Sequence, residues 1–309
     1  MAKARSSQGQ CYKALTQWDL AIEYHKKALA IRQEHVSEKA TASSLHTLGI
    51  LYQQTGEFTR SLDYYSKALI IRESLGRKKN IGKTVLEIGT LYSEFGEYED
   101  AMEHYKTALQ LFEEDGYDKG IPRAYECMAG TYYDLYKYDK TVEYQLKVVE
   151  LYREAERPIW LASALTNLGN AYLELKDYST ALKHQQEAYQ ISIDHSIGDS
   201  EATALFNMGS IYFEQKKYDL AIESNLKALK RSKESNGIIT VRQSAFGLYR
   251  CYKATGEFVK SLEMAELFGQ MDDSIVNEQN HRAVLRQEYK YSYEQQATKD
   301  SIINAEADR

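Results

Sequence analysis

The chain has 309 residues, of which 43% are hydrophobic and 27% are charged, so it can bury a core and is not a disordered tail. It contains only 2 prolines and 17 glycines, a composition that excludes a sandwich or barrel joined by turns and favours helices throughout. A net charge of −6 provides no electrostatic footprint for DNA or RNA, so no nucleic-acid partner is expected.

The spacing of the cysteines and the length of the apolar runs indicate the cellular compartment. Cys11, Cys127 and Cys251 lie far apart, which favours a reducing compartment without a disulfide framework. The amino end has no apolar stretch of signal-peptide length, and no run approaches the roughly 20 apolar residues that a membrane helix needs. We therefore expect a cytoplasmic chain that does not itself contact a membrane. A membrane helix or an output domain outside this sequence stays open.

A tyrosine recurs every forty residues along most of the chain. A small residue lies three positions before it in six of the seven units, with Tyr249 as the exception, and an aromatic residue lies six positions after it in all of them. So regular a register predicts a row of like structural units. The seven register tyrosines are Tyr12, Tyr52, Tyr92, Tyr132, Tyr172, Tyr212 and Tyr252.

Each forty-residue unit predicts two helices joined by a short turn. Apolar residues at helical spacing, as in Leu45, Leu48 and Tyr52, mark the first helix, and a turn such as TGEF at 55–58 follows it. Small residues at fixed points let the helix axes approach closely, and large aromatic residues fill the space that remains. Because one pair cannot bury its apolar face alone, we predict an all-α fold, a right-handed superhelix of seven stacked hairpins.

The pattern resembles the tetratricopeptide repeat. The likeness rests on a Leu-Gly-x-x-Tyr motif, a Gly-x-aromatic turn and two small positions in the second helix. In the second unit these are Leu48, Gly49, Tyr52, Gly56, Phe58, Ser61 and Ala68. The usual unit has about 34 residues, so the helices or loops here are longer, and the usual closing proline is missing.

The segment Asn167–Tyr172 is most similar to forty-residue repeats of Leu-Gly-Asn-repeat adaptors and of bacterial peptide receptors. The resemblance implies a solenoid of seven repeats over 1–270, followed by a separate C-terminal helix over 271–309.

The first unit is degenerate, because Arg5 and Gln8 stand where the second unit has Leu45 and Leu48. One interpretation is a solvated capping helix, which a solenoid needs at its end. The other is a truncation that has removed an upstream helix or repeat.

The final segment, 271–309, breaks the period. Asp272 and Ser274 offer an N-cap, and a stripe at four-residue spacing runs from Leu285 through Tyr289 to Tyr293. One interpretation is a helix that caps the seventh unit; the other is a signalling or dimerising helix that leads to a later domain. The segment also resembles the helix that follows such arrays in bacterial membrane sensors.

No constellation of residues predicts chemistry. The sequence contains no HExxH, no CxxC and no Gly-rich phosphate loop, and the repeat places no base beside Cys127. We therefore predict that the chain is not an enzyme and needs neither a metal nor a cofactor.

The resemblance implies a concave groove lined by the outward side of the first helices. Asn167, Asn170 and Asn207 match the asparagines by which such adaptors hold an extended peptide backbone. Carboxamides suit this task because each can donate and accept at once. These three residues are the first members of the predicted peptide-binding site.

Three phenylalanines lie nearby, at positions where packing does not require aromatic residues. Either they anchor an apolar side chain of the ligand, or a tight superhelix or the C-terminal segment buries them. Acidic residues in the middle of the groove favour a ligand with basic residues, and the far end is basic. The further members of the predicted site are Phe206, Phe213, Phe246, Tyr133, Glu174, Glu214 and Arg250.

These observations predict a scaffold that binds a protein or peptide along units four to seven. An alternative is a sensory region of a larger bacterial signalling protein, such as a kinase, a cyclase or a transcription regulator, with the C-terminal helix as transmitter. A third hypothesis is a structural oligomer, in which the C-terminal helix or the first unit pairs with another copy to form a homodimer.

Overall fold

A computed structural model describes residues 2–14, 17–34 and 37–272, and this part of the chain contains only helices and turns. The all-α prediction is confirmed. In chain order the helices are α1 (Ala2–Ala14), α2 (Trp18–Glu34), α3 (Glu38–Gln54), α4 (Phe58–Ser74), α5 (Lys78–Phe95), α6 (Tyr98–Glu114), α7 (Ile121–Asp134), α8 (Tyr138–Glu154), α9 (Pro158–Glu174), α10 (Tyr178–Asp194), α11 (Gly198–Glu214), α12 (Tyr218–Glu234), α13 (Ile238–Thr255) and α14 (258–272).

Turns at twenty-residue spacing end the helices. From position 56 to position 256, every twentieth residue has a positive φ, and it is a glycine in five turns, such as Gly56 and Gly96. In the other six turns it is a residue with a side chain, such as Lys176 (φ 61°) or Lys216 (φ 59°). Because helices commonly end on a residue in this left-handed conformation, the spacing sets where each helix stops. The predicted turn at 55–58 is confirmed.

In five of the seven hairpins the register tyrosine stacks on an aromatic ring of the following helix. The ring of Tyr52 stacks on Tyr64 of the following helix at 5.3 Å between centroids, and the ring of Tyr172 stacks on His184 at 5.5 Å. The same partner position, twelve residues later, serves Tyr12, Tyr92 and Tyr132. The forty-residue tyrosine is therefore a contact between the two helices of one hairpin.

The small residue three positions before the register tyrosine leaves room for a side chain of the second helix. A Cβ at Gly49 would lie 2.5 Å from the Tyr65 ring, and one at Gly169 would lie 2.6 Å from the amide nitrogen of Gln185. The close approach of the helices is thus as predicted. The side chain that fills the space, however, comes thirteen residues after the register tyrosine, a position that the sequence analysis did not single out.

The chain divides into two compact units, which we call unit 1 (up to Ala124) and unit 2 (from Tyr125 to Asn277). Within unit 1, apolar side chains of α2, α3 and α4 form a core around Leu48 and Tyr52. Within unit 2, a core around Leu165 and Leu168 joins α8, α9, α10 and α11, and the α12–α13 pair has its own around Leu248. The division into a solenoid over 1–270 and a helix over 271–309 stays a prediction, and positions from 273 onward lie outside the described residues.

Candidate functional site

All ten predicted site residues lie in unit 2, on its first helices. We call the surface that they form the first-helix face. Helix α9 contacts α11, and α11 contacts α13, while the hydroxyl of Tyr133 on α7 reaches Glu174 on α9. Side chains from four consecutive repeats therefore share one surface. Helix α7 carries Tyr133, α9 carries Asn167, Asn170 and Glu174, α11 carries Phe206, Asn207, Phe213 and Glu214, and α13 carries Phe246 and Arg250.

The two asparagines of α9 differ in their surroundings. Asn167 is exposed, and Asn170 is half-buried. The side-chain oxygen of Asn170 accepts a hydrogen bond of 3.0 Å from the amide nitrogen of Gln185 on α10. Asn167 is thus available to solvent, and Asn170 is anchored by Gln185 of the following second helix.

Asn207 on α11 is more buried than a groove-lining residue would be. It is only 7% exposed, and its side-chain nitrogen has no hydrogen-bond partner among the described residues. A buried amide donor without a partner costs about 1–3 kcal/mol. Asn207 therefore belongs to the floor of the first-helix face, and its side chain does not project from it.

Tyr133 and Glu174 bridge α7 and α9. The Tyr133 hydroxyl donates to the Glu174 carboxylate at 3.3 Å, and the Tyr138 ring meets the Tyr133 ring edge-on at 5.3 Å. Burial, and then the negative charge of Glu174, raise the pKa of Tyr133 to about 12, so the hydroxyl keeps its proton at neutral pH. This pair is a neutral donor beside an exposed carboxylate.

Aromatic rings and a guanidinium alternate at the α11–α13 end of the face. The Arg250 guanidinium lies 4.1 Å from the Phe213 ring centroid and 5.9 Å from that of Phe246, and it forms an ion pair with Glu214 at 3.2 Å. Such cation–π contacts stabilise by about 0.5–1 kcal/mol at exposed sites. Glu214 neutralises Arg250, so the basic character predicted for this end of the groove rests on Lys253, which is exposed.

The three phenylalanines are not equivalent. Phe206 is half-buried and packs against the Leu205–Met208 cluster, which is the burial alternative left open above. Phe246 is 41% exposed and lies 5.2 Å from Phe268 of α14. That contact accounts for Phe268, a large residue where the other units have small ones. Phe246 is the one exposed ring of the three.

Sequence reasoning missed a set of carboxamides on the second helices. Thirteen residues after the register tyrosine, unit 2 has Gln145, Gln185 and Asn225, which are 4%, 0% and 1% exposed. Unit 1 has rings at this place, as in Tyr65. A comparison of the repeats position by position would have shown the change from rings to carboxamides, but a search restricted to the outward side of the first helices does not include it.

The described residues contain no group of three His, Cys, Asp or Glu side chains that could hold a metal ion, and their cysteines form no disulfide. In the same part of the chain, no helix combines the length and apolarity that a membrane span requires.

The sequence matches the profile of a family described as tetratricopeptide repeat at residues 1–74, 40–114 and 120–194, and a second profile of that description matches 202–235. The first profile covers more than half of the chain. No curated protein is similar enough in sequence to match.

Several solved structures are similar in fold. The apo form of RapI has a TM-score of 0.70 and 16% identity, over 89% of this chain and 99% of that chain. The Rap conjugation gene regulator of the plasmid pLS20, in complex with the Phr* peptide, has a TM-score of 0.65 and 17% identity, over 88% and 74%.

A third similar structure is a signal transduction ATPase with numerous domains from Pyrococcus horikoshii, which has a tetratricopeptide repeat sensor. Its TM-score is 0.64 at 13% identity, over 97% of this chain and 49% of that chain. At identities of 13%, 16% and 17%, these similarities show a shared fold and not a shared function.

Proposed function

Because the chain belongs to the tetratricopeptide repeat family, we propose that it is a scaffold that binds a protein or peptide along the first-helix face of unit 2. The observation that carries this proposal is the exposure of Asn167 and Phe246, on first helices two repeats apart. The Asn167 amide and the exposed part of the Phe246 ring stay uncovered when the hairpins pack, although that ring also contacts Phe268 of α14. A ligand that buried both would gain a hydrogen-bonding group and an apolar contact.

The chemistry of the face suits an extended polypeptide. Amides on α9 can bind the peptide backbone, whose N–H and C=O groups repeat along the chain, and Phe246 can pack on an apolar side chain. The exposed carboxylates Asp134 and Glu174 favour a Lys or Arg in the segment that crosses α7 and α9. The proposed role is binding alone, in the cytoplasm, with no catalytic step and no cofactor.

The comparisons support this role by fold. One of the similar structures is in complex with the Phr* peptide, so a chain of this architecture can hold a peptide. An identity of 17% carries no information about which peptide binds here, so the ligand is proposed from the residues of unit 2.

A selection experiment tests the proposal. Phage that display random twelve-residue peptides would be selected on the full chain, and the enriched peptides would be measured by fluorescence anisotropy. For the double substitution Asn167→Ala and Asn170→Ala we expect a loss of at least about tenfold in affinity, because two peptide hydrogen bonds disappear. The matched control is Asn80→Ala on α5, which should bind like the wild type.

Circular dichroism would check that each variant is folded. Equal binding by the wild type and the double variant would overturn the assignment to the first-helix face. Failure of any peptide to enrich over an unrelated helical protein would count against peptide binding itself.

A second candidate function is a sensory region of a larger signalling protein. It is favoured because 97% of this chain aligns with 49% of an ATPase that has a repeat sensor of this family. The gene sequence on both sides of the given chain tests it: a kinase, cyclase, ATPase or DNA-binding domain on either side supports the idea, and an open reading frame that holds this repeat region alone refutes it.

A further inference from the structure

Gln185 connects the core of unit 2 to the predicted site. It lies on α10 and is fully buried. Its side-chain nitrogen donates two hydrogen bonds of 3.0 Å, one to the backbone carbonyl of Thr166 and one to the side-chain oxygen of Asn170. Both acceptors belong to α9, the helix that carries Asn167 and Asn170.

These two bonds determine which way the Asn170 amide faces. The carbonyl oxygen of Thr166 can only accept, so the Gln185 atom that faces it must be the NH2 group. The Asn170 atom that faces the same NH2 group must then be the oxygen. The NH2 group of Asn170 is consequently directed away from Gln185, and it donates to no described residue.

The backbone of α9 is adapted to admit this carboxamide. Gly169 precedes Asn170, and a Cβ there would lie 2.6 Å from the Gln185 nitrogen. In the next hairpin the Asn225 carboxamide is enclosed in a similar way, against Gly209 and Gly247, but its nitrogen donates within its own helix, to the carbonyl of Ala221 at 2.8 Å. Buried carboxamides behind the first helices are thus a regular feature of unit 2.

Packing alone does not account for these carboxamides. The side-chain oxygens of Gln145, Gln185 and Asn225 are buried and have no hydrogen-bond partner among the described residues. Each such acceptor costs about 1–3 kcal/mol, whereas the Tyr65 ring at the same place in unit 1 donates its hydroxyl to Gln53 and avoids that cost. His25, at this place in the first repeat, is the exception, because its ring nitrogens have no partner among the described residues. An amide at this position stabilises less than the ring that it replaces, so a role outside stability accounts for it better.

We propose that Gln185 is a positioning residue for ligand recognition. It holds the Asn170 amide so that its NH2 group is directed away from Gln185 and is the group offered for a new hydrogen bond, and the first-helix face at this point therefore takes a carbonyl oxygen of an extended peptide. An unrestrained asparagine must lose the freedom to rotate and flip when it binds, and a restrained one has already lost it. The inference rests on the proposed function, because it assigns a polarity to the same face.

The test uses the nearly isosteric substitution Gln185→Glu. The ionised carboxylate cannot donate to Thr166 or Asn170, and it would accept from the NH2 group of Asn170, which turns that amide over and removes the donor. The protonated carboxyl can donate one hydrogen bond to Asn170 and restores the original orientation. Burial raises the pKa of such a carboxyl above its usual value of about 4.3, so binding should weaken as the pH rises.

The probe is the best phage-selected peptide, labelled with fluorescein and titrated into the full chain at pH 5.5 and pH 9. Gln185→Glu should bind within about threefold of the wild type at pH 5.5 and roughly tenfold more weakly at pH 9. The wild type is measured at both pH values as the reference for any pH effect that does not come from residue 185. Such an effect can come from His184, Glu174 and Glu214, which also carry or can gain charge. In the Asn170→Ala background, Gln185→Glu should have no further effect.

The outcomes are distinguishable. If Asn170→Ala binds like the wild type, the proposed face is wrong. If Asn170→Ala binds weakly but Gln185→Glu, folded by circular dichroism, has the same relative affinity at both pH values, the positioning role is wrong. Should Gln185→Glu unfold at pH 9, Gln185→Met provides the test, because it has no donor at any pH. A roughly threefold to tenfold loss supports the proposal, and wild-type affinity overturns it.

Discussion

Two lysines sit in a backbone conformation that favours glycine, and their replacement should stabilise the protein. Lys176 follows α9 and Lys216 follows α11, both are exposed, and their φ values are 61° and 59°. A side chain in this left-handed conformation costs about 1–2 kcal/mol. Glycine avoids that cost but loses about 0.5–1 kcal/mol more backbone entropy on folding. The net gain should be roughly 0.5–1 kcal/mol for each substitution.

The two turns lie on separate hairpins, so the effects should add. Lys176→Gly combined with Lys216→Gly should stabilise by roughly 1–2 kcal/mol, which corresponds to a rise in melting temperature of roughly 1.5–3 °C for a chain of this size. The matched control is Lys183→Gly, an exposed position inside α10. The chemical change is identical, but the backbone is helical there, so a loss of about 0.7–1 kcal/mol is expected.

Urea unfolding, followed by circular dichroism at 222 nm, measures both variants against the wild type. The midpoint should rise for the double variant and fall for the control, with an unchanged slope in each case. If the double variant unfolds at the same or a lower urea concentration than the wild type, the turn conformation is not what limits stability at 176 and 216. A rise in the control as well would show that glycine stabilises by some route other than the sign of φ.

Two further predictions concern unit 1 and α7. Gly49→Ala should destabilise the protein by roughly 1–3 kcal/mol, because its Cβ would lie 2.5 Å from the buried Tyr65 ring. Gly130→Ala should stabilise it by up to about 1 kcal/mol, because a Cβ there would have no atom within 4 Å. Thermal unfolding of the two variants tests the difference. Burial, and then the charges of Arg72 and of Lys83, lower the pKa of His46 to about 3. The folded state therefore disfavours the charged form of His46, whereas in the unfolded chain this side chain binds a proton near pH 6.5. The free energy of unfolding should consequently fall by about 2 kcal/mol between pH 7 and pH 5. His46→Gln should remove this part of the loss.

The repeat register could be predicted because it depends on local spacing. The helix pairs, their turns and the small residues that let helices approach all recur in a forty-residue window, and the tyrosine of each window contacts its own hairpin. The contact between Arg250 and Glu214 is of another kind, because it joins the first helices of neighbouring hairpins. Its geometry depends on the angle between hairpins, which no period in the sequence encodes. The sequence therefore indicated both residues as members of the site but left Arg250 as an unpaired charge.

Asn207 shows the same limit at the level of one side chain. Its position in the repeat is that of Asn167, which is exposed, yet Asn207 is 7% exposed. Equivalent positions in a repeat share a backbone environment, but the neighbouring side chains differ from one hairpin to the next. Register alone therefore predicts the helix face on which a residue lies, and it does not predict how much of that residue the neighbours cover.

The position behind the first helices holds aromatic rings in unit 1 and carboxamides in unit 2, and this difference gives the two units different capacities for ligand binding. In unit 1 the Tyr65 hydroxyl donates to the Gln53 side chain at 3.0 Å, and the Gln53 amide donates in turn to Glu94, so the polar atoms around Tyr65 satisfy each other, whereas the ring nitrogens of His25 in the first repeat have no partner among the described residues. In unit 2 the corresponding layer holds Gln185 and Asn225, whose oxygens have no partner among the described residues. Both carboxamides are buried, so this layer affects a ligand only through the first-helix residues that it orients, such as Asn170. Ligand contacts are therefore expected in unit 2, although both units are built from the same hairpin.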